Sequence, residues 1–165
     1  MDRPELKNFE LQKKLDNDGF VIINDFLKND AIERAYDFFE LLFDPRNTSD
    51  PHYWNSVWNL PVNQKEVLSK KLNQIVNPQI EKYFYKFSIQ AITIMVKLEG
   101  NNICEPHRDY SILDESKQEY YNAWIPLEDI NEANAPLFFL PKSHLRFNEI
   151  LPILSKWPYE KYDDE

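Results

Sequence analysis

The chain has 165 residues, 42% of them hydrophobic and 28% charged, with a formal net charge of −9 at pH 7, which suits one domain with its own core. That acidic balance, with no basic cluster, argues against nucleic acid and anionic membrane surfaces as partners. A lone Cys104 makes no disulfide framework, two glycines make no phosphate-cradling loop, and no apolar run reaches the length of a membrane span. The polar start Met1-Asp2-Arg3-Pro4-Glu5 does not read as a signal peptide, so the expected location is cytoplasmic.

Residues 1–84 read as mostly helical. Leu6, Phe9 and Lys13 to Leu15 sketch a short amphipathic helix that stops before the Asp18-Gly19 turn. Asp30 is placed to cap a second helix, whose apolar face carries Ile32, Ala35, Phe38, Phe39 and Leu42 and which Asp44-Pro45 ends. The segment 50–59 holds His52, Tyr53, Trp54 and Trp58 without periodicity and reads as an aromatic loop. Two roles are open for it: a loop tucking its rings onto the core, or a lid over an apolar ligand pocket. Val67, Leu68, Leu72, Ile75 and Val76 mark a third helix, interrupted at Asn77-Pro78 and resuming through Ile80 and Phe84. The apolar stripes of these helices call for packing against a sheet.

Residues 85–146 change period. From Phe87 to Leu98 the chain is rich in β-branched residues, with Ile92, Ile94, Val96 and Leu98 on one face and Ala91, Thr93, Met95 and Lys97 on the other. Glu99-Gly100 then reads as a turn. Residues 121–127 and 137–140 read as two further strands, and residues 147–165 as a tail with a solvated acidic end. Strands in succession with no helix between them predict an antiparallel sandwich or jelly roll, so the fold class is α+β.

Between the first and second of these strands lies Glu105-Pro106-His107-Arg108-Asp109. On an extended strand, positions i and i+2 share a face, which puts the His107 imidazole beside the Asp109 carboxylate. Those are two of the three protein ligands of a 2-His-1-carboxylate site, which suits Fe(II) and leaves coordination positions open. A bare His-x-Asp pair is weak evidence alone, since it also describes a surface pair at a strand end. Cys104 is out of phase with His107 and reads as a pocket-wall or core thiol.

The order of segments is more specific. His107-x-Asp109, then Ala123-Trp124-Ile125-Pro126-Leu127, then Asn134-x-x-Leu137, then Leu140-Pro141-x-Ser143-His144 resembles the phytanoyl-CoA dioxygenase family of Fe(II)/2-oxoglutarate oxygenases. Asp18 to Leu27 likewise resembles that family's opening strand, and the likeness runs from about residue 11 to about residue 146. The resemblance implies a double-stranded β-helix (jelly roll) with N-terminal helices packed on its main sheet. It implies Fe(II) as metal, 2-oxoglutarate as co-substrate, and hydroxylation of a small organic molecule. His107 and Asp109 become iron ligands. Trp124 matches a co-substrate neighbour and Met95 a less specific one; Asn122 shares the Trp124 face. Lys97 is the inward cation of its strand, suited to a carboxylate of 2-oxoglutarate or reaching out to solvent.

Three departures stand out. Ala135 and Lys142 occupy places where the family usually has glycine, and lost glycine at a positive-φ site implies a changed turn or modest strain. In the family the second iron histidine and the arginine that holds the far carboxylate of 2-oxoglutarate follow the Ser-His segment by several tens of residues. This sequence ends about twenty residues after His144, so it resembles the N-terminal part of the fold, with the closing strands absent. Three readings stay open: a fragment whose remainder supplies the third ligand, an inactive binding or structural module, or a compact variant in which His144 ligates and Arg146 or Lys97 holds the co-substrate. His52 is a weaker candidate ligand, and a cupin-like metal enzyme of other chemistry is a further alternative. Unpaired strand edges would favour self-association.

Overall fold

The computed structural model describes residues 5–44, 46, 48, 52–98, 107, 119–134 and 136–146. Helix α1 spans Phe9–Asp18. The Asn8 side chain accepts the Leu11 N–H at its start, and Gly19, at φ +83°, ends it in the left-handed conformation that glycine tolerates. Helix α2 spans Asn29–Glu40. Asp30 is not its cap: the cap position falls two residues earlier, on Lys28, with no side-chain cap bond. Asp30 sits in the first turn instead, where a carboxylate favours the helix dipole, and pairs with Arg34 at 2.6 Å. Ala31, Ala35 and Phe39 form the buried stripe, while Ile32, Phe38 and Leu42 are half-buried beside it.

The aromatic segment is not an irregular loop. Tyr53–Asn55 forms strand β1 and Ser56–Asn59 a one-turn helix α3, which the Asn55 side chain starts by accepting the Val57 N–H at 2.8 Å. Strand β2, Met95–Lys97, pairs antiparallel with β1 in the register Tyr53↔Lys97, Trp54↔Val96, Asn55↔Met95. The pairing is extended by Leu98 N–H to His52 O and Ser56 N–H to Ile94 O. The Ser56 hydroxyl accepts the Ile94 N–H in return, so a buried serine closes the ladder on both backbone groups.

Helix α4 runs unbroken over Val62–Tyr83 with Pro78 inside it, against the expected interruption. A proline there removes one N–H bond and crowds the preceding turn, at about 3 kcal/mol. The helix is held on both sides of that point. Leu68 and Leu72 are buried in the core, and the C-terminal end is stitched to the chain start by Lys7 N–H to Tyr83 O and Tyr85 N–H to Glu5 O.

The core gathers Ala35, Phe39, Trp54, Leu60, Leu68, Leu72 and Ile94, with Ile92, Val96 and Leu127 packed against it. Helices α2 and α4 thus lie on the inner face of the β1–β2 ribbon, and the two-residue alternation of 91–98 holds: Ile92, Ile94, Val96 and Leu98 turn inward, Met95 and Lys97 outward. The expected sheet is much reduced among the described residues, where β1–β2 is the one ladder and the jelly roll is not established. The expected strands 121–127 and 137–140, and the expected opening strand after Gly19, make no ladder there. An extended segment becomes a strand only when a neighbour supplies the inter-strand bonds. Ile125 and Leu127 nevertheless alternate inward against Trp124 and Pro126 outward. No helix among the described residues is long and apolar enough to cross a membrane.

Candidate functional site

All four expected co-substrate residues lie on outward surfaces. Met95 and Lys97 project from the face of β2 opposite the helices, and Met95 is 60% exposed. Trp124 is 52% exposed, two residues after the exposed Asn122. The Trp124 indole and the Met95 side chain are each left in solvent while Val96 and Leu127 on the same segments are packed inward, and an exposed apolar group of that size is able to contact a ligand. Lys97 has no ion pair among the described residues.

Of the expected iron ligands, His107 is described and is exposed, while Asp109, like Cys104, lies outside the described residues. Among the described residues no three histidine, cysteine, aspartate or glutamate side chains gather into a metal-binding group. An imidazole with a carboxylate two residues on is a donor set whose chemistry suits Fe(II). His52 precedes β1 and its carbonyl is spent on the ladder to Leu98.

His144 is placed quite differently. It lies in a 3₁₀ turn, Ser143–Arg146, against the C-terminal end of α1. Its Nε2 is 3.0 Å from the Asp16 carbonyl oxygen, an atom that can only accept, so Nε2 carries the proton. Its Nδ1 is sealed from solvent with no hydrogen-bond partner and faces the Cα of Gly19. Next to it, the Lys142 N–H donates to Asp18 O at 2.9 Å, and Phe139 stacks on Phe20 with centroids 4.8 Å apart. Lys142 itself stands at φ +64°, the left-handed conformation that the missing glycine would have taken without strain. On the same helix end the Lys14 ammonium bonds the Asp18 carboxylate at 2.7 Å and holds its pKa below the ordinary range.

A second cluster escaped the sequence reading. Gln12, buried, accepts the Leu6 N–H through Oε1 and donates from Nε2 to Glu5 and Asp16. Burial pushes the neighbouring Tyr121 phenol well above its ordinary pKa, and the charges of Glu5, Glu119 and Asp16 add to that. No periodicity signals such a group, because its members come from the chain start, α1 and the segment before Trp124. Among the described residues, two open clefts border α4, one lined by Asn73, Asn77 and Glu81 of the helix with Tyr85 and Phe87 beyond it, and none of the metal or co-substrate candidates lines either.

The decisive comparison is with protein families: the model for phytanoyl-CoA dioxygenase (PhyH) matches residues 15–165. The chain belongs to the phytanoyl-CoA dioxygenase family. The match takes in α1 beyond its first turns, the whole β1–β2 core, His107, Asp109, Trp124 and the Ser-His turn. Neither a curated protein nor a solved structure matches the chain. Membership brings with it an Fe(II)- and 2-oxoglutarate-dependent oxygenase chemistry as the family's activity, at the level of the family and without a particular substrate.

Proposed function

We propose that this phytanoyl-CoA dioxygenase family member is an Fe(II)/2-oxoglutarate-dependent dioxygenase that hydroxylates a small organic substrate, with His107 and Asp109 as two of its iron ligands. The observation that carries the proposal is the presence of His107-x-Asp109 inside the matched region, with His107 exposed and the apolar and cationic candidates on outward surfaces. When bound, the metal with 2-oxoglutarate and O₂ supplies the oxidant for an unactivated C–H bond, while 2-oxoglutarate loses CO₂ to become succinate.

The remaining roles fall to the chain itself. His107 presents a neutral imidazole and Asp109 a charged carboxylate, which together offset part of the metal's charge. The Lys97 ammonium pairs with a co-substrate carboxylate. Trp124 and Met95 exclude water from the co-substrate, and Asn122 orients it with a hydrogen bond. His144, the sequence-based candidate for the third position, would have to leave Asp16 and Gly19 to ligate a metal, because its one lone pair is the sealed Nδ1.

The test is turnover of 2-oxoglutarate alone, since the proposed site needs only Fe(II), 2-oxoglutarate and O₂ to release succinate. Succinate formation that requires Fe(II) and O₂ and disappears in both His107→Ala and Asp109→Ala supports the proposal. Folded protein that makes no succinate, or makes it equally well in both variants, removes the activity and leaves only the family.

A further inference from the structure

Helix α1 ends with carbonyl groups that its own turns cannot satisfy. Two of them, Asp16 O and Asp18 O, are taken by the imidazole of His144 and the N–H of Lys142, across a separation of 128 residues in the case of His144. The contact is close enough to depend on a missing side chain. A Cβ built on Gly19 would lie 2.3 Å from His144 Nδ1 and 2.8 Å from its Cγ, far inside any real contact distance. The neighbouring Phe20–Phe139 stack and the strained Lys142 belong to the same junction.

We infer that Gly19 and His144 form a long-range clasp: the imidazole, donating from Nε2, caps the C-terminal end of α1, fits only over a glycine, and fixes the 136–146 segment against the N-terminal helix. His144 is then a positioning residue, and iron binding does not use its nitrogens. This last corollary rests on the dioxygenase reading; the clasp does not.

Gly19 carries two constraints that can be separated. Its φ of +83° disfavours most side chains, and the imidazole packed over it disfavours any Cβ. Alanine offends both, whereas asparagine tolerates the left-handed conformation and offends only the second. The experiment is a double-mutant cycle on the unfolding equilibrium with Gly19→Ala, Gly19→Asn and His144→Ala, singly and combined. The clasp predicts that Gly19→Asn lowers the folding equilibrium constant about tenfold in the wild-type background and hardly at all beside His144→Ala, a coupling of the size found for residues in contact. Should Gly19→Ala fail to fold, the asparagine variant still gives the cycle. Effects that add within about twofold overturn the clasp.

His144→Gln supplies the conservative variant, since its amide can donate to Asp16 O. It should recover most of the stability lost in His144→Ala and leave the absorption band of the anaerobic Fe(II)–2-oxoglutarate complex at wild-type strength. A folded His144→Gln protein that loses that band while His144's coupling to Gly19 is absent overturns the positioning role in favour of ligation. If the wild-type chain itself gives no band, the dioxygenase reading fails while the stability cycle still decides the clasp.

Discussion

Trp54 is the side chain on which the core reading can be tested hardest. It is 1% exposed, sits on β1, and meets Phe39 and Phe43 edge-on with centroids 5.9 and 5.3 Å away. Truncation of a buried aromatic to alanine costs about 3–5 kcal/mol through lost transfer energy and the cavity left behind. Loss of the two edge-on pairs pushes Trp54→Ala toward the upper part of that range. In a chain of this length each kcal/mol moves Tm by about 2–4 °C, so the expected drop is roughly 6–20 °C. Trp58, four residues on and 64% exposed, should change stability by no more than about 0.5 kcal/mol on the same substitution. Urea unfolding followed by far-ultraviolet circular dichroism reads both without depending on the tryptophan removed. Since natural domains hold only about 5–15 kcal/mol, Trp54→Phe gives a milder second point. A Trp54→Ala protein within about 1 kcal/mol of wild type, or a Trp58→Ala protein that suffers more, would refute the core assignment and revive the lid.

Other residues make separate claims. Ser56→Ala removes the hydroxyl that accepts the Ile94 N–H at 3.0 Å beside the core and should cost about 1–3 kcal/mol in urea unfolding, whereas a loss under about 0.3 kcal/mol would mean another group takes its place. At position 142 the usual order reverses: with φ at +64°, Lys142→Gly should be more stable than Lys142→Ala by about 1 kcal/mol, and alanine equal to or better than glycine would rule out the left-handed turn. The Asp18 carboxyl, held below 3.8 first by its hydrogen bond to Lys14, favours the folded state above its unfolded pKa, and that contribution fades as pH falls through the folded value. Lys14→Met should therefore return the Asp18 titration, followed by carboxyl NMR, toward 3.8; an unmoved curve would assign the depression to something else.

The helices were readable because their signal is local and repeated. Ala35, Phe38, Phe39 and Leu42 announce α2 by spacing alone, and Gly19 announces the end of α1. The same holds for the inward and outward faces of 91–98, whose two-residue alternation survives where ladder bonds are few. What escaped was whatever depends on distant partners. The segment around Trp54 gives three strand residues, too few to show a period, and they become β1 only through Met95–Lys97 about forty residues later. Pro78 looked like a break because the sequence does not reveal that Tyr83 and Tyr85 are tied to the chain start. At the site, His107-x-Asp109 rests on side-chain chemistry and spacing, and of the pair the structure describes His107 alone; Lys142 stood out in the sequence through the glycine it replaces, and its positive φ agrees. The position of His144 was not legible, because nothing near it in sequence points to Asp16 or Gly19.

The central claim is that His107 and Asp109 hold iron in a co-substrate chelate. Anaerobic titration of the full chain with Fe(II) and 2-oxoglutarate, watching for the visible charge-transfer band of the chelate, tests it most directly. The account predicts a saturable band in the wild type that is absent from both His107→Ala and Asp109→Ala, each verified as folded by circular dichroism. A band of undiminished strength in either variant, or none in folded wild-type protein, would contradict it.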